Sequence, residues 1–294
     1  MIDIYFLEKS FPFNGNDLNS SIIAGSEKTL INIANKLASK KDINVKVFNS
    51  TNNEQKINNV DWININRLNS FPKPEIVISM SNMGLFPNYS CKKFLWSHSI
   101  QSLEKFIRKG QLIPFIKHRP RLILESFYHY NNRSFLTSAF GKDILKICAD
   151  IDFINADIDK NKIPPNNVIF NTRSDRNLNL VLKAWRDIKS EVDDAVLYIN
   201  PPFNLSDEDK SLDIKIREKN NKFDLIKDLS NMKLMLNPGH KGEVFCLVAE
   251  EGRVMCVPIV TLGIGALSER VDDKITGFIC KDLNDFVKKS IDIL

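Results

Sequence analysis

Cysteine is scarce and scattered: five in 294 residues, Cys91, Cys148, Cys246, Cys256 and Cys280, with no CxxC pair and no Cys/His cluster. That pattern supports neither a zinc site nor a disulfide framework. Free thiols in a reducing compartment are expected, and buried ones, because four of the five lie in apolar runs. Long apolar runs are missing too. No stretch approaches the roughly 18 residues of a membrane helix. The opening MIDIYFLEKSFPF carries Asp3 and no long apolar core, so a signal peptide is not expected. Nor does one charge dominate: 41 basic against 36 acidic residues leave a net +5, short of the concentrated excess of a nucleic-acid binder. No nucleic-acid partner is expected. What remains, 43% hydrophobic and 26% charged residues, excludes a disordered or fibrous chain. A cytoplasmic location follows as the expectation.

The length fits about two domains, and β-type runs alternate with helical patterns throughout, the mark of an α/β fold with parallel sheets. The first half reads as strands at 2–7, 44–48, 75–80, 93–96 and 150–155. Its helices are 26–40, with Leu30, Ile33, Ala34 and Leu37 at helical spacing and Ser26 as N-cap, and a long one over 100–121 closing at Pro114. DKNKIPPNNV then breaks the pattern, because two prolines continue neither a helix nor a central strand. This sets domains 1–160 and 161–294. After it come strands at 168–171, 195–199, 213–217, 233–236, 257–261 and 277–280, with helices at 177–189, 223–229, 245–255 and 282–293. Two such domains imply a cleft between them, where sheets of this kind bind ligands. The frequent asparagine pairs, such as Asn52-Asn53 and Asn166-Asn167, read as compositional bias.

The richest stretch is PGHKGEVFCLVAEEGRVMCVPIV, residues 238–260. Glu243 and Glu251 stand a little over two helical turns apart on one side. Each carboxylate accepts two hydroxyl hydrogen bonds, which suits a polyhydroxylated ligand. The helix N-terminus beside Glu243 offers N–H groups and a positive dipole end to a phosphate. A solvated helix face is the plain alternative for such a pair.

With TLGIGALSERVDDKITGFIC behind it, this stretch resembles the C-terminal signature of glycosyltransferase family 4, the retaining GT-B enzymes. The matching elements are Glu243-x7-Glu251, the strand Pro258-Ile259-Val260, a turn with Gly263, Gly265 and Glu269, and Thr276-Gly277-Phe278. FNTRSDRNLNLVLKAW (170–185) is similar to the family's basic diphosphate-binding segment and carries Arg173 and Arg176. The segment 22–38, with Gly25, looks like its Gly-Gly-x-Glu element. FLWSHS (94–99) resembles its strand-end histidine, His98, and NADID (155–159) faintly resembles the turn before its hinge.

The resemblance implies two Rossmann-like domains with parallel sheets facing a central cleft, acceptor in the first and donor in the second. The expected activity moves a sugar from a nucleotide-diphosphate donor to an acceptor hydroxyl with retention, in surface polysaccharide or glycolipid synthesis. No cofactor and no metal are implied. Glu243 would bind the donor sugar and Glu251 the ribose. Arg173 and Arg176, with backbone N–H groups around Val244, Phe245 and Cys246, would hold the diphosphate. Gly25 would approach it from the first domain, and His98 would line the cleft.

The departures are as specific as the matches. Family glycines are replaced by Asn177, Val244, Cys246 and Cys256. The chain stops one helix after the Thr-Gly-Phe strand, so a short C-terminus in place of a returning helix is expected. A nucleotide-sugar epimerase and a non-catalytic nucleotide-sugar or glycan binder remain open. DxD at 150–152 and 157–159 weakly suggests metal. Gly263-Ile264-Gly265 lacks the third glycine of a dinucleotide fingerprint, since Ser268 stands there. His240 beside Lys241 reads as an exposed loop residue first and as a phosphate contact second. The run KFIRKGQLIPFIKHRPR (105–121) places six Lys/Arg among apolar residues. It reads as a solvated face, or as a peripheral membrane contact or a holder of a lipid-linked acceptor.

Overall fold

The structure is a computed structural model that describes residues 1–20, 23–159, 161–201, 203–218 and 221–294. Ile22, at the head of the 22–38 segment, and Lys160, at the expected domain boundary, lie outside the described residues. The chain divides into two compact units, Met1–Lys146 and Ile147–Leu294.

The first unit runs β1 (Ile2–Leu7), α1 (Gly25–Ala38), β2 (Ile43–Asn49), β3 (Gln55–Ile57), β4 (Val60–Asn64), β5 (Ile76–Met80), β6 (Lys92–Trp96), α2 (Leu103–Arg108), α3 (Leu112–His118), β7 (Arg121–Leu124), α4 (Phe127–Asn132) and β8 (Lys142–Ile144). Its sheet has the order β3-β4-β2-β1-β5-β6-β7-β8. Every pairing is parallel except β3 with β4. β1 reads as an unbroken apolar run because Tyr5, Phe6 and Leu7 are all buried, as expected of a central parallel strand covered on both faces. α1 turns Leu30, Ile31, Ala34 and Ala38 into the core, one step away from the expected Leu30, Ile33, Ala34 and Leu37. Its N-cap is Ala24, not Ser26, which sits inside the first turn and donates from Oγ to Glu27 Oε2 at 2.8 Å.

Three further readings are corrected. The β3–β4 hairpin went unseen, yet Asn58 and Asn59 carry φ of 50° and 63°, the conformation a two-residue hairpin turn demands and asparagine tolerates. The helix expected over 100–121 is two short helices and then a strand. Gly110, at φ 63°, ends the first, and Pro114 sits in the opening turn of α3, where its missing N–H costs nothing. Asp150–Asn155 is not a strand: Asp150 caps Asp152 N–H and starts a helical turn, α5 (Ile151–Ile154).

The second unit continues with β9 (Asn167–Phe170), α6 (Leu178–Glu191), β10 (Val196–Ile199), α7 (Asp207–Ser211), β11 (Ile214–Ile216), α8 (Lys222–Leu229), β12 (Leu234–Leu236), α9 (Leu247–Val254), β13 (Ile259–Thr261), β14 (Gly277–Ile279) and α10 (Leu283–Ile293). Its sheet, β11-β10-β9-β12-β13-β14, is parallel throughout. Trp185 is fully buried, and its Nε1–H donates to Leu212 O at 2.8 Å. The contact boundary falls before α5 rather than at the prolines. Ala149 and Phe153 join the core formed by Ile169, Met235 and Ala249, and buried Lys222 pairs with both Asp150 and Asp152. Hydrophobic burial and an ion pair thus tie the segment ahead of the Pro-rich stretch to the second sheet.

Of the cysteines, only Cys246 and Cys280 are buried, while Cys148 and Cys256 are exposed, and all five are free. An apolar sequence neighbourhood did not translate into burial for those two. No described helix is long and apolar enough to cross a membrane.

Candidate active site

In a doubly wound sheet, ligands gather beyond the strand carboxyl ends where the connection direction reverses. In the second unit that point lies between β9 and β12, with neighbours leading away on either side. The loops leaving these two strands are 171–177 and 237–246, so the topology brings the arginine segment and the Glu243 loop together.

There the Asn177 side chain donates to Gly239 O at 2.5 Å. Arg176 Nη1 lies 2.7 Å from His240 Nδ1, which also accepts from Gly242 N–H at 3.0 Å. With Nδ1 accepting, the ring proton belongs on Nε2 as a donor. Arg176 Nε is 3.8 Å from Glu243 Oε2, and each of these two side chains is 20% exposed. This places cation, donor and carboxylate side by side. A Cβ at Gly242 would approach Arg176 Nη1 to 2.8 Å, so the bare backbone gives the guanidinium its room. His240, expected first as an exposed loop residue and second as a phosphate contact, is half-buried and central to the cluster. Its Nδ1 contact with a residue 64 positions earlier left no local signal.

Other expected residues fall differently. Arg173 is 73% exposed and turned onto its neighbour Asp175, through Nε–H to Oδ1 at 3.0 Å and Nη2–H to Oδ2 at 2.5 Å. Asp175 Oδ1 is also 3.8 Å from Arg176 Nε, so the two arginines flank one carboxylate, but only Arg176 also reaches His240 and Glu243. Val244, Phe245 and Cys246 are buried, and α9 begins only at Leu247, so they form the loop entering the helix rather than its first turn. Glu251 is half-buried on α9. The adjacent Glu250 is the structural acid, accepting from Arg270 Nη1 at 2.9 Å and from Arg253 Nη2 at 2.7 Å. Gly265 serves packing: at φ 76°, a Cβ there would lie 2.2 Å from His240 O and 3.0 Å from Glu243 O.

Three residues outside glycine hold an unusual backbone. Asn177, Cys246 and Cys256 have φ of 65°, 69° and 58°, the left-handed conformation that glycine adopts freely and other L-residues at a cost of about 1–2 kcal/mol. Cys256 is exposed and offers the clean test. Cys256→Gly should raise stability by about 0.5–1 kcal/mol in urea unfolding, part of the relief being offset by glycine's greater unfolded-state entropy. Cys256→Ala, which keeps the Cβ, should gain none of it. Equal stabilities for the two variants would refute the strain.

Beyond this cluster, Asn171, Asn200 and Arg217 link the carboxyl ends of β9, β10 and β11. Arg217 Nη1 donates to Asn200 Oδ1 at 2.8 Å, and its other nitrogens go to Asp228. The arginine is thereby committed, and the open groove of about 430 Å³ beside α8 that it lines is built around that ion pair.

The first unit repeats the logic. Its reversal point lies between β1 and β5, and beyond their carboxyl ends a cavity of about 150 Å³ is lined by Glu8, Ser26, Glu27, Leu30, Met80, Ser81 and His98. Burial holds the Glu8 carboxyl above its usual range, against N–H donation from Ser10. His98 Nδ1 stands 2.6 Å from Oε1 of buried Glu125, while His98 Nε2 is buried without a hydrogen-bond partner. Gly25 opens α1 and is exposed. Among the described residues no group of three potential ligands is arranged for a metal ion.

No family model matches the sequence, nor does any curated protein sequence. Solved structures do match. Sucrose-phosphate synthase from Thermosynechococcus elongatus is similar at 11% identity and a TM-score of 0.67, over 98% of this chain and 88% of that one. HepE from Anabaena, in complex with UDP and glucose, is similar at 12% identity and a TM-score of 0.66, over 99% and 89%. The lipopolysaccharide outer core galactosyltransferase WaaB follows at 11% and 0.63, over 99% and 90%. At such identities the likeness carries the fold, and that fold is the one shared by GT-B glycosyltransferases, two Rossmann-like units in one chain.

Proposed function

We propose that this chain is a retaining glycosyltransferase of the family 4 type, transferring a sugar from a nucleoside-diphosphate donor to a hydroxyl of a glycan or lipid-linked acceptor. The observation that carries the reading is the Arg176–His240–Glu243 cluster at the β9/β12 strand ends. A departing diphosphate needs positive charge and hydrogen-bond donors. Arg176 and the His240 Nε2–H supply both from protein groups, so the reading calls for no metal. Glu243 takes the donor sugar hydroxyls and Glu251 the ribose. Arg173, once freed from Asp175, reaches the outer phosphate. In the first unit, His98 and Gly25 are the residues this reading assigns to sugar binding. Left-handed backbone at Asn177, Cys246 and Cys256, three of the four positions where the resembled motif has glycine, supports the family assignment, and the complex of HepE with UDP and glucose supports the donor class.

The test is direct. One of UDP, GDP or ADP should raise the melting temperature of the full chain. The matching nucleotide sugar should release nucleotide only when an acceptor extract is added, and Glu243→Ala should abolish that release. No shift with any of the three nucleotides would sink the donor assignment, and acceptor-independent conversion of the sugar would indicate an epimerase. A binding protein without turnover is the second reading, favoured by one observation: Arg173 is already paired with Asp175.

The acceptor side extends to a membrane surface. On α2 and α3, Ile107, Ile113 and Ile116 are 59%, 77% and 57% exposed, and Arg108, Lys109 and Lys117 are exposed around them. Apolar side chains ringed by cations suit an anionic headgroup layer, at about 1 kcal/mol per cation near the surface. The chain should therefore cosediment with phosphatidylglycerol vesicles and not with phosphatidylcholine ones. Ile113→Asp with Ile116→Asp should cut the bound fraction several-fold, and an unchanged fraction would refute the contact.

A further inference from the structure

His98 is the expected sugar-facing residue of the first unit, but the sequence offered no account of how its ring is held. It follows β6, and Glu125 follows β7, the strand paired in parallel with β6. Adjacent strand ends thus bring together two residues 27 positions apart, with His98 Nδ1 and Glu125 Oε1 at 2.6 Å. Glu125 is 3% exposed, and its backbone is pinned in turn. Glu125 N–H donates to His129 Nδ1 at 3.4 Å, and His129 Nε2–H donates to Ser99 O at 3.0 Å. Burial pushes the His129 pKa down to about 4, so this second histidine stays neutral and can accept on Nδ1 while donating from Nε2. Ser99 Oγ receives Lys105 Nζ–H at 2.6 Å. The carboxylate therefore sits on a fixed frame, rather than on a loop free to follow the imidazole.

A carboxylate only accepts, so the proton it meets on His98 must be on Nδ1. In the neutral ring that leaves a lone pair on Nε2, which is buried and without a partner, an arrangement whose desolvation costs free energy unless a donor arrives. We propose that Glu125 is the positioning residue for His98, holding its imidazole in the Nδ1–H form so that Nε2 accepts from a hydroxyl or amino group of a bound sugar. The inference rests on the glycosyltransferase reading and specifies the chemistry of the sugar. The cavity that His98 lines is also lined by Glu8 and Glu27, and Ser26 Oγ–H is already given to Glu27. Among the described residues, the cavity is lined by two carboxyl side chains and by no lysine or arginine. Neutral or amino-bearing sugar faces fit it, and a carboxylate-bearing sugar is repelled.

Histidine-selective 1H–15N NMR on the full chain above pH 7.5 reads the tautomer directly. His98 is expected as Nδ1–H with an unprotonated Nε2, and its assignment comes from loss of the signal in His98→Gln. Glu125→Gln, nearly isosteric and leaving the backbone bond to His129 in place, should lose that tautomer preference. With the functional donor it should lower kcat by about tenfold with little change in the KM for nucleotide sugar, and Glu125→Asp should restore part of both. An Nε2–H tautomer in the unaltered protein, or a Glu125→Gln variant with unchanged tautomer and kcat, overturns the proposal. Titration with glucose, glucosamine and glucuronate should move the His98 Nε2 resonance for the first two alone. An equal response to glucuronate, or no response to any of the three, overturns the sugar-class part. The nucleotide melting shift is a separate readout: its absence defeats the proposed function while the tautomer stands, and the wrong tautomer defeats the positioning role while the shift stands.

Discussion

Arg176→Ala should weaken nucleoside-diphosphate binding by about 10- to 100-fold, erasing most of the ligand-induced rise in melting temperature. The guanidinium is 20% exposed and sits between Asp175 and Glu243, each 3.8 Å from Nε, with His240 Nδ1 at Nη1. At 3.8 Å neither acid makes a hydrogen bond to it, so donors remain for a phosphate. A charge-assisted bond contributes about 1.5–3 kcal/mol, which is one to two decades of affinity. Lysine is no substitute, because a point charge cannot reproduce the forked geometry, and Arg176→Lys should recover only a minor share. Arg173→Ala should cost much less, since Arg173 is 73% exposed and already bound to Asp175. The sequence treats the two arginines as equals and the structure ranks them. If Arg173→Ala were the more damaging change, the assignment of the diphosphate site to Arg176 would be wrong.

Glu250→Gln is expected to destabilise the second unit by about 3–5 kcal/mol, a fall of about 10 °C or more for a unit of this size. Glu250 and Arg270 have side chains only 6% exposed and meet at 2.9 Å. Arg270 also lies over the Phe245 ring at 4.4 Å, and its Nε and Nη2 have no hydrogen-bond partner. Removing the carboxylate charge leaves a buried guanidinium whose remaining counter-charge is Glu269, 3.8 Å from Nη2 and too far for a hydrogen bond. The double change Glu250→Leu with Arg270→Leu removes both charges together and should be close to neutral or mildly stabilising. Urea unfolding of the two variants decides it. A mild single variant would mean that water reaches the pair, and a double variant as damaged as the single one would show that the ion pair adds net stability. Phe245 lies between Glu243 and α9, so loss of the arginine should also loosen the loop that carries the site.

The second unit was nearly all legible. β9, β12 and β13 are short apolar runs bounded by turn residues, and α6 and α10 carry strong helical periodicity, so local pattern and final structure agree. The first unit was harder. Arg121–Leu124 hides its apolar alternation behind a basic run, and Ile151–Ile154 is apolar enough for a strand but too short for its period to choose. Asn58-Asn59, one of many asparagine pairs, makes the β3–β4 turn. Composition gave no reason to separate it from the rest, and only its flanking strands did so.

What the sequence determined by itself was the alternation of strands and helices, and with it two parallel sheets. It also carried the motif around Glu243 and Glu251, because those features are local in the chain and rest on periodicity and turn chemistry. Tertiary structure decided the rest. The unit boundary moved to Lys146 because Phe153 and Lys222 bind their segment to the second sheet. Of the arginines, the one that meets His240 and Glu243 became the candidate ligand. A glutamate without any motif came to lie 2.6 Å from His98 Nδ1. These outcomes depend on which strands lie side by side and what their ends bury, and burial and charge pairing join residues that the chain keeps far apart.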